Sequence, residues 1–342
     1  MSYPVIGGIE GGATKTIVFL MNTNGEKLAE TTGSDSNPWN LGVEQCCKLI
    51  YNLVMEAKRQ AKLLENEPLH SLGLCLSGLE TEDIRNKLKN TLISNYPRLS
   101  DNYFIGSDTR APLAMVNDIG GIVLIAGTGS NCLLINPDES ETQCGGFGDK
   151  LGDEGSAYWI VHRGVKICLD NNIKLKSVPN GYSDVKLWEA IKKYFNIETI
   201  YDLIPIFYSH FNKAQIAALC ISLSELARNG DPLSKWLFES AGQYLAKHIQ
   251  AVYNSAHETL KCNHGGLQIV CVGSVWKSWD LLKQGFEAQL KDTSVSDVYK
   301  LCLVHTTGSS AIGAVYLAAR VVNVPFPYTF SKNYNVFYEY VK

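Results

Sequence analysis

The chain has 342 residues, a net charge of −3, 45% hydrophobic residues and 19% charged residues. This composition is typical of globular proteins, and the length is sufficient for two domains with separate cores. The weak net charge gives no electrostatic case for binding nucleic acid or an anionic membrane. We also find no signal-peptide pattern and no apolar run long enough to span a bilayer.

The ten cysteines are scattered, and most of them lie inside apolar patterns. Such scatter in a long chain predicts reduced, buried thiols and a cytoplasmic location. Cys132 and Cys144 lie downstream of a glycine-rich turn. For these two we favour unpaired thiols over a disulfide.

In the first part of the chain, hydrophobic periodicity and turn residues predict alternating strands and helices. The predicted elements are strands 5–10, 16–21 and 27–32, helix 43–61, strand 71–76, helix 80–94 and strand 102–107. The run 22–25 (Asn-Thr-Asn-Gly) has the chemistry of a hairpin turn. The last strand ends at Asp108.

After residue 120 the order of elements begins again. The predicted elements are strand 121–126, a glycine turn at 127–131, strand 132–136, helices 154–169, 213–228 and 231–256, strand 267–272 and helix 309–322. A repeated order with a glycine turn near each start indicates two related domains. We therefore divide the chain into residues 1–117 and 118–342 and expect a cleft between the two domains.

Two glycine-rich turns, Gly7–Thr16 and Gly127–Asn131, each follow an apolar strand. Glycine lets the backbone approach a polyanion and point N–H groups at it, and Thr and Ser hydroxyls add donors. Together with Asp108 as a base, this pattern indicates phosphoryl transfer. Tight hairpins are the alternative for the turns, and a helix-capping aspartate is the alternative for Asp108.

These motifs resemble those of the sugar kinases in the actin, hexokinase and heat-shock-chaperone ATPase superfamily, most closely the eukaryotic N-acetylglucosamine kinases. The matching segments are 8–16, 36–39, 76–78, 107–108, 125–132, 145–148, 152–159 and 271–279. They occur in the family order and cover essentially the whole chain. The resemblance implies an α/β fold of two actin-like (ribonuclease H-like) ATPase domains flanking a cleft.

The resemblance also implies an activity, the ATP-dependent phosphorylation of N-acetyl-D-glucosamine at its 6-hydroxyl, with ATP and Mg²⁺ as cofactors and a homodimer as the assembly. A kinase for another hexose or amino sugar and an ATP-dependent sugar sensor that transfers nothing are the alternatives. The expected partner is a small-molecule sugar, with no nucleic acid and no membrane.

The resemblance assigns site residues by position, with Asp108 as the general base. Nucleotide contacts are predicted for Gly11, Gly12, Thr14, Gly127, Thr128, Gly129, Ala217, Gly273 and Ser274. Sugar contacts are predicted for Asn37, Asp108, Gly146, Phe147, Gly148 and Asp153. Glu10 stands where superfamily members commonly hold Mg²⁺ through water, and a strand-end glutamate with no ligand is the alternative.

Three positions depart from the pattern of the animal enzymes. Pro38, Leu79 and Phe147 stand where His, Gly and Trp are usual. Because Pro38 neighbours the predicted sugar contact Asn37 and Phe147 is itself a predicted sugar contact, the preferred sugar stays open. For the pair Asp153 and Glu154, a helix N-cap fits Glu154, whereas we favour hydrogen bonding to the sugar for Asp153.

Overall fold

A computed structural model describes residues 4–12, 15–262, 265–292 and 297–342. Thr14, one of the predicted nucleotide contacts, lies outside these described residues. The chain forms two compact units. Unit 1 comprises Met1–Val123 and Leu303–Tyr338, and unit 2 comprises Leu124–Cys302 and Glu339–Lys342. Within the described ranges, no helix combines the length and the apolar character that crossing a membrane requires.

The structure contains two β-sheets and a larger number of helices. The strands are β1 (Val5–Gly11), β2 (Thr16–Asn22), β3 (Lys27–Gly33), β4 (Ser71–Leu76), β5 (Tyr103–Ser107), β6 (Gly121–Ala126), β7 (Ser130–Ile135), β8 (Glu141–Gly145), β9 (Leu267–Val272), β10 (Lys300–Thr306) and β11 (Tyr334–Val341). The helices are α1 (Pro38–Leu41), α2 (Val43–Gln60), α3 (Glu82–Asn95), α4 (Arg110–Val116), α5 (Ala157–Asn172), α6 (Val185–Phe195), α7 (Leu203–Phe207), α8 (Lys213–Ala218), α9 (Cys220–Arg228), α10 (Pro232–Tyr253), α11 (Glu258–Lys261), α12 (Trp279–Lys291) and α13 (Ala311–Val321). Short 3₁₀ helices cover Pro179–Gly181, Ile200–Asp202, Ser274–Ser278 and Phe330–Lys332.

The sheet of unit 1 has the strand order β3-β2-β1-β4-β5. The first three strands are joined by hairpins, while β1, β4 and β5 run parallel. Helix α13 packs so closely on this sheet that a Cβ on Gly8 or Gly73 would overlap its backbone. The buried side chains of α2 cover the sheet as well, in a cluster with residues from β1, β2 and β4.

The packing of α13 explains why residues 303–338 belong to unit 1. We predicted one domain over 118–342, whereas the compact units divide at residue 123 and the C-terminal segment joins the N-terminal half. Ala311, Val315 and Ala318 form a core cluster with Ile6 of β1 and neighbouring residues of β2. Long-range burial of this kind leaves no mark in local sequence periodicity.

The second sheet has the strand order β11-β10-β9-β6-β7-β8, and β7 and β8 form an antiparallel hairpin. Helix α10 begins as the sequence predicts, with Asp231 as N-cap accepting a hydrogen bond from Ser234 N at 2.9 Å. The predicted helix 213–228 is two helices, α8 and α9, that meet at Leu219.

Helix α5 begins three residues later than the sequence predicts. Its N-cap is Ser156, whose hydroxyl accepts a hydrogen bond from Trp159 N at 3.1 Å. The interpretation of Glu154 as the N-cap is therefore wrong. A serine hydroxyl two residues downstream takes that role and leaves the Glu154 side chain free for other contacts.

Candidate active site

Three parallel strands of unit 1 end side by side. In the ladders, Gly11 pairs with Leu76 and Leu76 pairs with Ser107. The backbone N–H of Ser77 then donates to the Gly11 carbonyl at 2.8 Å. This register brings the residues that follow β4 and β5, Ser77 and Asp108, to the same end of the sheet. In open α/β sheets the carboxyl ends of parallel strands are where ligands bind.

Asp108 is partly buried at this end of the sheet. Removal from water, then the charges of Glu80 and Glu10, raise the pKa of Asp108 to about 7, against a hydrogen bond from the Ser77 hydroxyl that lowers it. The helix that follows begins at Arg110 after Thr109, so Asp108 does not cap it. A carboxyl group that titrates near neutrality is a stronger base than an ordinary aspartate, and it suits proton transfer from a hydroxyl.

Glu10 lies at the end of β1, where its Oε2 accepts a hydrogen bond from the Ser309 hydroxyl at 3.0 Å. Within the described ranges, no group of three or more His, Cys, Asp or Glu side chains is arranged to hold a metal ion. Mg²⁺ in phosphoryl-transfer enzymes is commonly held by one or two carboxylates, waters and substrate phosphates. A single partly exposed carboxylate such as Glu10 fits that mode of binding.

The first glycine turn joins β1 to β2, and its glycines have different surroundings. A Cβ on Gly11 would overlap the Ser36 hydroxyl, so packing alone requires glycine at that position. Gly12 N donates to the Lys15 carbonyl at 3.0 Å, and a Cβ there would meet no atom of the residues that the structure describes within 4 Å. The open space beside Gly12 is compatible with close approach of a ligand.

Asn37 lies against the turn that follows β4. Its Oδ1 accepts a hydrogen bond from Trp39 N at 2.8 Å and caps the short helix α1, and a Cβ on Gly78 would overlap the same oxygen. Pro38 and Leu79, two of the unusual positions, are buried. Trp39, which follows Pro38, is 68% exposed.

The second glycine turn, in unit 2, is held on one side by α5. Gly127 N donates to the Gly129 carbonyl at 2.9 Å, and the first N–H groups of α5, from Ala157 and Tyr158, donate to the Gly127 and Thr128 carbonyls. Over the described part of the chain, the N–H groups of Thr128 and Gly129 have no protein acceptor. Two free donors on adjacent residues form the kind of backbone concavity that binds anions.

The predicted nucleotide contacts Gly127 and Gly273 lie next to each other. A Cβ on Gly273, whose φ is 108°, would overlap the Ala126 carbonyl and lie 2.7 Å from Gly127 N. Ser274 is exposed and opens the 3₁₀ helix that follows β9. Trp276 of this helix donates from Nε1 to the Leu124 carbonyl at 3.2 Å, which fixes the helix beside β6.

Asp153 is a buried residue that contacts the second glycine turn. The residue is 2% exposed and has a φ of 66°, which is uncommon for a residue other than glycine. Its Oδ1 accepts a hydrogen bond from Ser130 N at 3.0 Å, and its Oδ2 lies 2.5 Å from Lys213 Nζ. The carboxylate is thus compensated by a cation and an amide. Its contact with a sugar stays a prediction.

The predicted sugar contacts 146–148 lie on the loop after β8. Gly146 and Gly148 both have positive φ, and a Cβ on Gly146 would lie 2.7 Å from Asn131 Oδ1. Phe147 between them is 67% exposed. An exposed aromatic ring flanked by two glycines leaves both ring and backbone accessible to a ligand.

Ala217, the predicted adenine contact, is 4% exposed on α8. It lies one turn after Lys213 on the same helix, so the two side chains point to the same face.

Cys132 and Cys144 face each other directly in the β7–β8 ladder, and both thiols are free.

Sequence reasoning missed the roles of Lys213, Ser77 and Glu80. Lys213 carried a usable signal, because it opens α8, and a cation in the first turn is disfavoured by the helix macrodipole unless a carboxylate compensates it. Glu80 acts on Asp108 through space, and nothing in the sequence order indicates that proximity.

The profile of the BadF/BadG/BcrA/BcrD ATPase family matches residues 8–318 of the chain. The chain belongs to this family. The match covers most of both units and is consistent with a nucleotide-binding role for the glycine turns just described.

Comparison with curated proteins finds relatives with kinase names. The N-acetylmuramic acid/N-acetylglucosamine kinase of Clostridium acetobutylicum is 24% identical over 313 residues, which cover 91% of this chain and 97% of the relative. The N-acetyl-D-glucosamine kinase of Dictyostelium discoideum is 31% identical over 169 residues, 47% of this chain and 52% of the relative. The predicted resemblance to N-acetylglucosamine kinases is confirmed, and its restriction to the eukaryotic branch stays a prediction.

A crystal structure from Chromobacterium violaceum, provisionally named an N-acetylglucosamine kinase, superposes with a TM-score of 0.71. It is 22% identical, and the alignment covers 93% of this chain and all of the other. At this identity the likeness shows the fold alone. The predicted α/β fold of the actin-like ATPase sugar kinases is confirmed.

Proposed function

We propose that this protein transfers the γ-phosphate of ATP to the 6-hydroxyl of N-acetyl-D-glucosamine, with Asp108 as the general base. Membership in an ATPase family and relatives named as N-acetylglucosamine kinases support the reaction class. The observation that carries the proposal is the partly buried Asp108, placed after a parallel strand, with its pKa raised to about 7.

In this proposal the second glycine turn binds the phosphates of ATP. The unpaired N–H groups of Thr128 and Gly129 would donate to phosphate oxygens, and the Thr128 hydroxyl would add a third donor. Preorganised donors stabilise the charge that spreads over the transferred phosphoryl group. Asp153 would not contact the phosphates in this scheme. It accepts a hydrogen bond from Ser130 N and so holds the turn in place, and Lys213 pairs with the Asp153 carboxylate.

On the sugar side, Asp108 accepts the proton of the 6-hydroxyl while the new O–P bond forms and the bond between the γ-phosphorus and ADP breaks. The Ser77 hydroxyl donates to the Asp108 carboxylate and orients it. Glu10 would hold Mg²⁺ through water, and the ion would supply charge neutralisation to the phosphates. We propose sugar contacts from Asn37, Gly146, Phe147 and Gly148 on the strength of the resemblance.

A second substrate is favoured by one specific observation. The relative that aligns with 91% of this chain is named for both N-acetylmuramic acid and N-acetylglucosamine. Both sugars carry an acetamido group and a free 6-hydroxyl, so the same base would serve either. The homodimer implied by the resemblance and the cytoplasmic location predicted from the scattered cysteines stay predictions.

The test is ADP release with Mg-ATP and one sugar at a time: N-acetylglucosamine, N-acetylmuramic acid, glucosamine, N-acetylmannosamine or glucose. We expect N-acetylglucosamine or N-acetylmuramic acid to give the highest kcat/KM. Asp108→Asn should abolish most of this turnover, whereas Asp101→Asn, an exposed aspartate just before β5, should leave it unchanged. ATP binding without sugar phosphate from any of the five would contradict the proposal.

A further inference from the structure

A cavity of about 610 Å³ lies within unit 2, along one face of α5. The α5 residues that line it are Trp159, His162, Arg163, Lys166, Ile167 and Asp170. Spacings of three and four residues place all six side chains on a single face of the helix. The volume falls within the range of about 300–1,000 Å³ that is usual for small-molecule sites.

Arg163 is the central charge of this cavity. Its guanidinium carbon lies 4.8 Å from the centre of the Trp159 ring and 4.6 Å from the centre of the Trp236 ring. The side chain also hydrogen-bonds to the Tyr244 hydroxyl, and burial lowers the pKa of Arg163 from its ordinary value. Two aromatic faces stabilise a guanidinium cation and hold its plane in one orientation.

Arg163 has no carboxylate partner among the residues that the structure describes. The nearby Lys166 is different, because it pairs with Asp170 on the same helix. A partly buried cation that the protein leaves without an anion is costly, unless a ligand supplies the charge. The planar edge of a guanidinium binds carboxylate or phosphate through two parallel hydrogen bonds.

The remaining walls fit an organic ligand rather than a bare ion. Trp236 and Tyr244 of α10 present aromatic surface, while Glu154 and Lys176 add an acceptor and a donor at the rim. Burial and the charge of Lys166 lower the pKa of His162, while the charge of Asp149 opposes them. Aromatic rings beside separated donors and acceptors suit a ring that carries several hydroxyl groups.

We infer that this cavity is a second ligand site, which binds a monosaccharide-sized organic anion through a phosphate or carboxylate on Arg163. Its position couples it to the second glycine turn. The first N–H groups of α5 donate to the Gly127 and Thr128 carbonyls, and the Glu154 carbonyl accepts from the Ser130 hydroxyl at 2.9 Å. A ligand on α5 therefore acts on the turn that, under the proposed function, binds ATP.

Calorimetric titration of the full chain tests the site without any turnover. The probes are N-acetylglucosamine 6-phosphate and N-acetylmuramic acid, with neutral N-acetylglucosamine as reference. Arg163→Gln should weaken binding of the anionic probe by about 10- to 100-fold and leave the neutral sugar unchanged, because it removes a charged hydrogen-bonding partner. Loss of affinity in Arg163→Gln for only one of the two probes identifies the anionic group that Arg163 binds as phosphate or carboxylate.

Two further variants locate the binding. Ser177→Trp places a large side chain at the exposed rim and should reduce binding to the same extent even if Arg163→Gln folds poorly. Lys193→Gln, an exposed cation on α6, should have no effect. Equal Kd values in wild type, Arg163→Gln and Ser177→Trp, or no binding of either anionic probe, would overturn the inference. Asp108→Asn should still bind the anionic probes at this cavity. Binding in that variant therefore tests the second site independently of the proposed kinase activity.

Discussion

The two aspartates that stand out in the sequence, Asp108 in unit 1 and Asp153 in unit 2, have opposite electrostatic surroundings. Asp108 faces two further carboxylates, Glu80 and Glu10, which raise its pKa, while hydrogen bonds from the Ser77 hydroxyl and from its own backbone N–H lower it. Asp153 is more deeply buried, yet it has Lys213 on one oxygen and a backbone N–H on the other. The charge of the Asp108 carboxylate is therefore poorly stabilised, whereas the charge of the Asp153 carboxylate is compensated by a cation.

This difference is the one that we expect between a carboxylate that takes part in the reaction and a carboxylate that holds the structure in place. A base must be able to take up a proton near the working pH, which requires that its charged form be poorly stabilised. A structural carboxylate must instead be held in one position by its partners. Sequence position alone predicted ligand contact for both residues, whereas their surroundings differ in the way that we expect of a proposed base and of a residue that positions the glycine turn. The following predictions test this contrast, from the largest expected effect to the smallest.

Asp108→Asn should lower kcat by roughly 10²–10⁴-fold, because an amide cannot accept the proton of the sugar hydroxyl. KM for the sugar should change little, since the amide keeps the size and most of the hydrogen-bonding capacity of the carboxylate. Steady-state kinetics with Mg-ATP and N-acetylglucosamine measures both constants. Turnover close to wild type in the variant would show that another group takes the proton.

Lys213→Met should destabilise unit 2 by about 2–4 kcal/mol, because it leaves the buried Asp153 carboxylate without its cation. The estimate stays below that for a fully buried pair, since Lys213 is itself partly exposed. Urea denaturation followed by tryptophan fluorescence measures the change. Lys235→Met is the matched control, because its pair with Glu239 spans 3.8 Å at the surface. Equal stability of the two variants would mean that the pair contributes nothing.

Asp108→Asn should also make the protein more stable at alkaline pH. The folded-state pKa of Asp108 is about 7 and the ordinary value is 3.8, so ionisation in the folded protein costs free energy that grows between these two values. The variant should match wild type near pH 4 and exceed it by about 1–3 kcal/mol above pH 7, a figure reduced for partial exposure. Urea titrations at pH 4, 6 and 8 measure it, and a gain independent of pH would exclude this cause.

Much of the fold could be predicted, because its elements carry local signals. The buried strands β4 and β9 have the bounds that their apolar runs predict, and α10 begins after the Asp-Pro pair that marks a helix start. The hairpin between β2 and β3 follows from its Asn-Gly turn, where Gly25 has a φ of 84°. The start of α5 was predicted three residues too early, because Ser156 and not Glu154 is the N-cap of this helix.

The parts that could not be predicted depend on residues far apart in the chain. Strands β10 and β11 were not among the predicted elements, although β10 contains the buried apolar run 301–304, and both strands belong to the second sheet. The membership of α13 in unit 1 follows from its packing on Gly8 and Gly73. In the candidate site, motifs indicated Asp108 and the glycine turns, but the pairing of Asp153 with Lys213 joins residues sixty positions apart.

The most direct test of Asp108 as the base is the pH dependence of kcat/KM for N-acetylglucosamine at saturating Mg-ATP, from pH 5 to 9. The raised pKa predicts that kcat/KM is constant above about pH 7.5 and falls tenfold per pH unit below about pH 6.5, because protonated Asp108 cannot accept the hydroxyl proton. Asp108→Asn should remove this descending limb. A wild-type profile that stays flat down to pH 5 would contradict the assignment.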